Sequence, residues 1–283
     1  MQKSAKVLGA TILVLLIVTI CIWYAVLASA PGKLKVSFLN IGQGDSIFIQ
    51  APTGAQVLID GGPNRSVLRE LSREMPWFDR SIDLVIPTHP DADHVTGLID
   101  VLARYKVSFV LQSSVLGDTD VWRTLENAID SEGSTNLTAV RGQVVDLGGG
   151  AYLEILFPDR SLPNVETNTA SVVAKLVYGN TSFMLTGDSP SEIEQYLVKL
   201  DASDLHVDVL KAGHHGSKNS SSLLYLGFVH PALAVYSRGC NNKYGHPSAE
   251  TIARMAQLSI PTMDTCTDGT ITFISDGKTI ARH

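Results

Sequence analysis

The 283-residue chain is short of cysteine and of charge. Its three cysteines contain no C-x-x-C pair, which excludes a disulfide framework and argues against cysteine-based zinc or thioredoxin chemistry. Charged residues make up only 18% of the chain against 45% hydrophobic, a balance that excludes a disordered chain or a coiled coil and requires a packed core. No internal repeat favours a solenoid, and no long low-complexity linker divides the chain. Positive charge is in deficit, with 22 Lys and Arg against 28 Asp and Glu.

Long hydrophobic runs are scarce too, with one exception that accounts for the mean hydropathy of +0.14. Val7–Ala28 is an uncharged run of 22 residues between Lys6 and Lys33. As a helix it reaches roughly 33 Å at about 1.5 Å per residue, enough to span a bilayer core. The rival is a cleaved signal peptide, with Lys3 and Lys6 as its basic start and Ala28-Ser29-Ala30 as its cleavage site. The run is longer than the usual apolar segment of such peptides, and Pro31 is a poor residue to follow a cut. The expectation is an anchor in residues 1–32 followed by one domain over 33–283. Lys3, Lys6 and the terminal amine against Lys33 and Lys35 favour the N-terminus inside, a single-pass topology in the cell membrane and an extracytoplasmic domain. Outside the anchor, 20 basic and 28 acidic residues give −8, which does not read as a general polyanion binder. In that orientation Cys240 and Cys266 meet an oxidising compartment where a disulfide can form, while Cys21 is a small apolar filler in the membrane run.

Beyond an Ala-Pro-Gly hinge at 30–32, the pattern predicts strands at Lys35–Asn40, Ser46–Gln50 and Gln56–Ile59, then β/α alternation with helices at Val67–Glu74, Gly97–Arg104 and Val121–Ser131. A second strand group follows at Val144–Leu147, Tyr152–Leu156, Val172–Tyr178 and Ser182–Leu185. The end alternates again, through helix Ser191–Leu200, strand Val207–Leu210, helix Ser221–Leu226, strand Ala232–Tyr236, helix Ala249–Gln257 and a β pair around Ile271–Ile274. Two strand groups dressed with helices predict two sheets packed face to face with helices outside.

The densest polar cluster, Thr88-His89-Pro90-Asp91-Ala92-Asp93-His94, directly follows the apolar strand Asp83–Pro87. A loop leaving a strand end can turn His89, Asp91, Asp93 and His94 to one point, and imidazole plus carboxylate suits a divalent metal. The bland alternative is a solvated helix cap at Asp91 or Asp93. Three further strand ends carry the same chemistry: Asp60 after Val57–Ile59, Asp188 after Phe183–Thr186, and His214-His215 after Val207–Leu210. Four strand ends point to a shared pocket at the edge of the core.

Together with Asn40-Ile41-Gly42-Gln43-Gly44-Asp45-Ser46 and Tyr244-Gly245-His246-Pro247, these segments resemble the metallo-β-lactamase-fold domain of ComEC-type competence proteins, in consistent order over roughly Leu34–Ile274. The resemblance implies an α/β αββα sandwich with hydrolytic chemistry at one edge. It gives His89, Asp93 and His94 as metal ligands, Asp188 as the bridging carboxylate, His215 or His214 as the last histidine, and Asp60 as the acid that orients the ligand loop. Asp91 stands where the wider superfamily has a second histidine of H-x-H-x-D-H. Asn168-Thr169-Ala170-Ser171 stands where it has another, so Asn168 and Ser171 become outer groups of the site; ComEC-like sequences share both changes. Exchanging two imidazoles for oxygen donors shifts preference from Zn²⁺ toward Mn²⁺ or Mg²⁺. One or two divalent ions are implied, about 3.5–4 Å apart if two.

Phosphate-handling groups are sought in Ser217–Ser222, whose serines suit a helix cap with free N–H groups, and in Lys211, Lys218, Arg238 and Lys243. The rival is an ordinary cap and surface lysines. Asp188, Asp93 and His246 are the candidate catalytic groups, His246 as a proton donor or substrate contact against a structural turn histidine. Asp45 either supports the site or forms a tight connection. The function expected is a membrane-anchored metal-dependent hydrolase of phosphodiesters, with DNA as substrate by resemblance. Alternatives are hydrolysis of a small ester, lactone or thioester on the same fold, and a non-catalytic anchored partner of a DNA-uptake channel. β-Lactam hydrolysis is disfavoured by the missing imidazoles. A monomer is expected, and with one spanning segment, coupled uptake requires a separate membrane channel.

Overall fold

The computed structural model describes residues 2–29 and 32–283. Ala30 and Pro31, which start the expected hinge and include the last residue of the expected cleavage site, lie outside the described residues. The apolar run forms α1 (Gln2–Ser29), whose Lys6–Tyr24 stretch is long and apolar enough to cross a membrane and has none of its surface buried against the protein.

The remaining elements build two sheets. In chain order they begin with β1 (Leu34–Phe38), β2 (Ile47–Gln50), β3 (Gln56–Ile59), α2 (Ser66–Glu74), β4 (Ser81–Ile86), α3 (Ala92–Leu102), β5 (Lys106–Gln112), α4 (Asp120–Glu132) and β6 (Thr135–Thr138). The second half runs through β7 (Val144–Gly148), β8 (Ala151–Phe157), β9 (Val173–Tyr178), β10 (Thr181–Leu185), α5 (Ser191–Asp201), β11 (Val209–Lys211), α6 (Leu223–Val229), β12 (Leu233–Tyr236), α7 (Ala249–Gln257), β13 (Thr262–Asp264), α8 (Thr265–Asp268), β14 (Ile271–Ser275) and β15 (Ile280–Arg282). One sheet is ordered β15-β14-β1-β2-β3-β4-β5-β6 and the other β13-β12-β11-β10-β9-β8-β7.

Alternation along the strands explains the layers. Val36, Ile47, Ile49, Val57 and Ile59 from the first sheet meet Phe183, Leu185, Val209 and Val235 from the second in the central core. Their neighbours Phe48, Leu58 and Val85 point the other way, against α2, α3 and α4, while Met184, Leu210 and Ala234 pack under α5, α6 and α7. Strands buried on both faces read as continuous apolar runs, which is why β3, β4 and β10 stood out in the sequence. The observed architecture is the predicted αββα sandwich.

Two strands escaped the sequence pattern. β6 is polar and fully exposed on an edge, and β13 is a three-residue edge strand. Helix α3 starts at Ala92, five residues before its expected start, because its first turn is the polar Ala-Asp-His stretch and carries no apolar periodicity. The hairpin between β9 and β10 turns at Gly179, which has φ 58° and lies so near the β14–β15 turn that a Cβ would sit 2.3 Å from Gly277 O. Cys240 and Cys266 form a disulfide.

Candidate metal centre

All the chemistry-bearing strand ends lie along one edge of the sandwich. β3 and β4 are parallel neighbours and deliver Asp60 and His89; β10 and β11 are parallel neighbours in the other sheet and deliver Asp188 and His214-His215. The β1–β2 loop brings Asp45 from a fifth direction. It closes against the start of α3 because Gly44, at φ +120°, has no Cβ; one there would lie 1.9 Å from Asp93 O.

Asp60 organises the first half of the site. Itself at φ 57°, it accepts the Thr88 backbone N–H on Oδ1 at 2.8 Å, and the Thr88 hydroxyl and His94 Nδ1 on Oδ2 at 2.8 Å each. Because the Thr88 proton goes to Asp60, the 3.0 Å contact between Thr88 Oγ1 and His89 Nδ1 requires the imidazole to donate. His215 Nδ1 lies 2.9 Å from Ser237 O, a carbonyl that can only accept. Each of the three rings is therefore held with Nδ1 donating, so that Nε2 is the atom turned into the site and the one able to ligate when unprotonated.

Those atoms converge. Asp188 Oδ2 lies 3.2 Å from His94 Nε2, 3.2 Å from His215 Nε2 and 3.5 Å from His214 Nε2. Asp93 Oδ2 is 3.5 Å from His215 Nε2, and Asp91 Oδ2 is 3.8 Å from His89 Nε2. Asp91 occupies the position preceding α3 but makes no capping bond; its other oxygen accepts the Thr167 hydroxyl at 2.7 Å. The Nε2 atoms of His89, His94 and His215 and Oδ1 of Asp45 are buried without a hydrogen-bond partner. Ligand atoms of Asp45, His94, Asp188 and His215 all lie within 4.8 Å of one another. Buried donor atoms without partners, aimed at a common gap, fit a bound cation and are otherwise costly.

Charge in the site is balanced by a residue whose role the sequence did not disclose. Lys211 was sought among phosphate-handling groups, yet it is fully buried: its Nζ donates to Gly187 O at 2.7 Å and lies 2.5 Å from Asp45 Oδ2 and 3.4 Å from Asp188 Oδ1. Burial alone would raise the Asp45 carboxyl, but Lys211, with His215 and His94, holds it at about 2. Asp188 is likewise held well below the usual carboxylate range, burial being outweighed by His215, His94 and Lys211. Burial, reinforced by His94, depresses His89 and keeps it neutral.

Other expected groups lie further out. Ser171 Oγ accepts the Asp188 backbone N–H at 3.3 Å, and Asn168 Oδ1 is buried without a partner. His214 and His215 both adopt left-handed backbone conformations, at φ 49° and 56°, which present both rings toward Asp188; His214 is the more exposed. His246 precedes Pro247, is fixed by Asn242 through its backbone N–H, and places its ring 5.7 Å from that of His214. Burial, with His214 and His215 nearby, lowers His246 to about 4.

At Ser217–Ser222 the expected serine cap forms, and two of the backbone N–H groups there are occupied from within the chain. The buried carboxylate of Glu194 accepts the backbone N–H groups of Ser221 and Ser222, while Ser222 caps α6 through Tyr225 N. Ser217 Oγ accepts from Asn219 N, Lys218 is exposed, and Lys243 lies over the Tyr244 ring. Arg238, another expected cation, is paired with Asp264 at 2.6 Å.

A sandwich with these strand ends defines a metal-site fold, and comparison with known proteins identifies which. The family model described as the metallo-beta-lactamase superfamily matches residues 39–237, and the chain belongs to that superfamily. It is 31% identical over 257 residues to ComE operon protein 3 of Bacillus subtilis (strain 168), covering 84% of this chain and 33% of that protein. It is 27% identical over 251 residues to Competence protein ComA of Neisseria gonorrhoeae, covering 87% of this chain and 33% of that protein. The chain thus spans about a third of the length of these relatives. Among solved structures, CmlA, a diiron beta-hydroxylase from Streptomyces venezuelae, superposes with a TM-score of 0.55 at 13% identity over 89% of this chain and 54% of its own, a likeness of fold.

Proposed function

We propose that the chain is a membrane-anchored, metal-dependent phosphodiesterase whose substrate is DNA. The observation that carries the catalytic part is the convergence of three orphaned, buried Nε2 atoms with the carboxylates of Asp188, Asp93 and Asp45. His94, His215, Asp188 and Asp93 would hold one divalent ion, and His89, Asp91 and Asp188 a second, with His214 at the exposed side. Mixed nitrogen and oxygen donors with no thiolate favour Mn²⁺, with Zn²⁺ or Mg²⁺ as alternatives. Divalent ions in such a site supply Lewis acidity toward a phosphoryl oxygen and lower the pKa of water.

The chain's own residues do the rest. Asp60 and Thr88 fix the His89 and His94 rings, Ser171 fixes the backbone of Asp188, and Lys211 neutralises part of the carboxylate charge without needing substrate. His246 is neutral at physiological pH, so it meets a phosphate as a neutral hydrogen-bonding group and protonates a leaving oxygen only after the substrate's charge raises it. Net acidity confines substrate contact to the metal edge and a few cations such as Lys218 and Lys243.

DNA as substrate rests on the likeness to Competence protein ComA and ComE operon protein 3. Anchoring rests on α1, and the Cys240–Cys266 disulfide supports an extracytoplasmic domain, since disulfides persist in oxidising compartments. The test is hydrolysis of single- and double-stranded DNA, a generic phosphodiester and an ester reporter by the full chain, each with Mn²⁺, Mg²⁺ and Zn²⁺. Metal-dependent cleavage of DNA and the phosphodiester is expected; turnover of the ester reporter alone would overturn the reading.

A further inference from the structure

The metal centre and the anchor join opposite ends of the sandwich. β1 starts at Leu34, next to the anchor, and runs toward the loop that carries Asp45. The α2–β4 connection lies at the anchor end: Lys35 Nζ bonds Glu74 O at 3.1 Å, Gln56 at the start of β3 donates to Asp79 at 2.7 Å, and Lys106 at the start of β5 donates to Arg80 O at 2.7 Å. In this connection Trp77 is 83% exposed and Phe78 71% exposed, their rings edge to face at 5.8 Å. The loop is shaped rather than slack, with Met75 buried beneath it and Asp79 N bonded to Pro76 O at 3.0 Å.

Cations share this end of the sheet. Arg80 lies over the Tyr105 ring at 5.6 Å, and Arg104, Lys106 and Lys33 are exposed on the same end. Among the described residues none of these four forms an ion pair, whereas four acids at this end are engaged: Glu74 with Lys35, Asp79 and Asp83 with Gln56, Glu132 with Val107 N. From Ser29 to Leu34 is five residue steps, at most roughly 18 Å of chain. A helix that spans the bilayer therefore holds this end at the membrane surface, where Trp-rich apolar tips with flanking Lys and Arg are stabilised.

We propose that Trp77 and Phe78 insert into the headgroup region of the bilayer that α1 crosses, with Arg80, Arg104 and Lys106 against anionic lipid phosphates. The domain then stands on the membrane with its metal centre turned away from it, open to a substrate arriving from solution. This rests on the anchored reading above.

Quenching of tryptophan emission by brominated lipids tests it on the full chain in nanodiscs of phosphatidylcholine and phosphatidylglycerol. Trp122 is buried and serves as constant background. A Trp23→Phe protein reports Trp77, and a Trp77→Phe protein reports Trp23. Insertion predicts that brominated lipid lowers the Trp77 emission about twofold, as for an interfacial aromatic, and that neutral lipid alone weakens the effect. An unquenched, water-accessible Trp77 beside a quenched Trp23 overturns the proposal while leaving the anchor intact, and points to a protein as the occupant of the pair. If Trp23 is unquenched as well, the anchored reading fails and this one with it.

Discussion

Lys211 Nζ lies 2.5 Å from Asp45 Oδ2 with both side chains out of water, and the same ammonium reaches Asp188 Oδ1 at 3.4 Å. The lysine is thus an internal counter-ion between a loop of one sheet and a strand end of the other. Replacing it by methionine leaves two buried carboxylates without their shared cation. Lys211→Met is expected to destabilise the metal-free protein by about 3–5 kcal/mol, the usual effect of breaking a buried pair. Divalent cation should restore part of that loss; denaturant unfolding with and without Mn²⁺ measures both, and unchanged stability would refute the role.

Asp60 acts on the site through His94 and Thr88. Asp60→Asn keeps the shape but loses the charge that fixes the His94 tautomer, and metal affinity should fall about 10–100-fold. Chelator competition reads the change directly.

Glu194 offers a contrast. It is buried and satisfies the N–H groups of Ser221 and Ser222, packed beside Gly213 but contributing no atom to the convergent ligand group. Glu194→Ala should lower stability by about 1–3 kcal/mol, the effect of orphaned buried donors, and leave metal affinity unchanged. A parallel loss of affinity would show that the α6 entry loop controls the centre.

Protons and metal compete for the same nitrogens. In the metal-free protein burial lowers His94 and His215, but Asp188, with Asp60 for one and Asp45 for the other, raises both well above the ordinary imidazole value. Their protonation therefore stabilises the metal-free fold fully below an unfolded value of about 6.5, and this contribution is lost as pH rises through the raised folded values. Metal binding must expel those protons, so affinity should rise with pH and binding should release protons into the buffer. Calorimetric titrations in two buffers of different ionisation enthalpy give the number released; a value of zero near neutral pH would contradict the assignment.

Legibility in the sequence followed burial. Asp60, His89 and Asp188 were visible because each ends an apolar strand, and the sandwich was visible because strands covered on both faces read as unbroken runs. Lys211 was misplaced because a lysine beside Val209-Leu210 looks like a strand end reaching solvent; only the fold brings Asp45 and Asp188 to it. Asp45 was ambiguous for the same reason, its place depending on the closure of Gly44 onto Asp93. The polar β6 edge had no pattern to read, and the Glu194 carboxylate that fills the α6 entry is distant in sequence.

The central claim is that the convergent imidazoles and Asp188 bind divalent metal and that this metal drives phosphodiester hydrolysis. The most direct measurement pairs elemental analysis with DNA cleavage by the full chain, using the parent protein beside Asp188→Ala and His89→Ala. The account predicts one or two equivalents of divalent metal per parent chain, with metal content and cleavage lost together in Asp188→Ala and both reduced in His89→Ala. Full metal content and undiminished cleavage in either variant would contradict it.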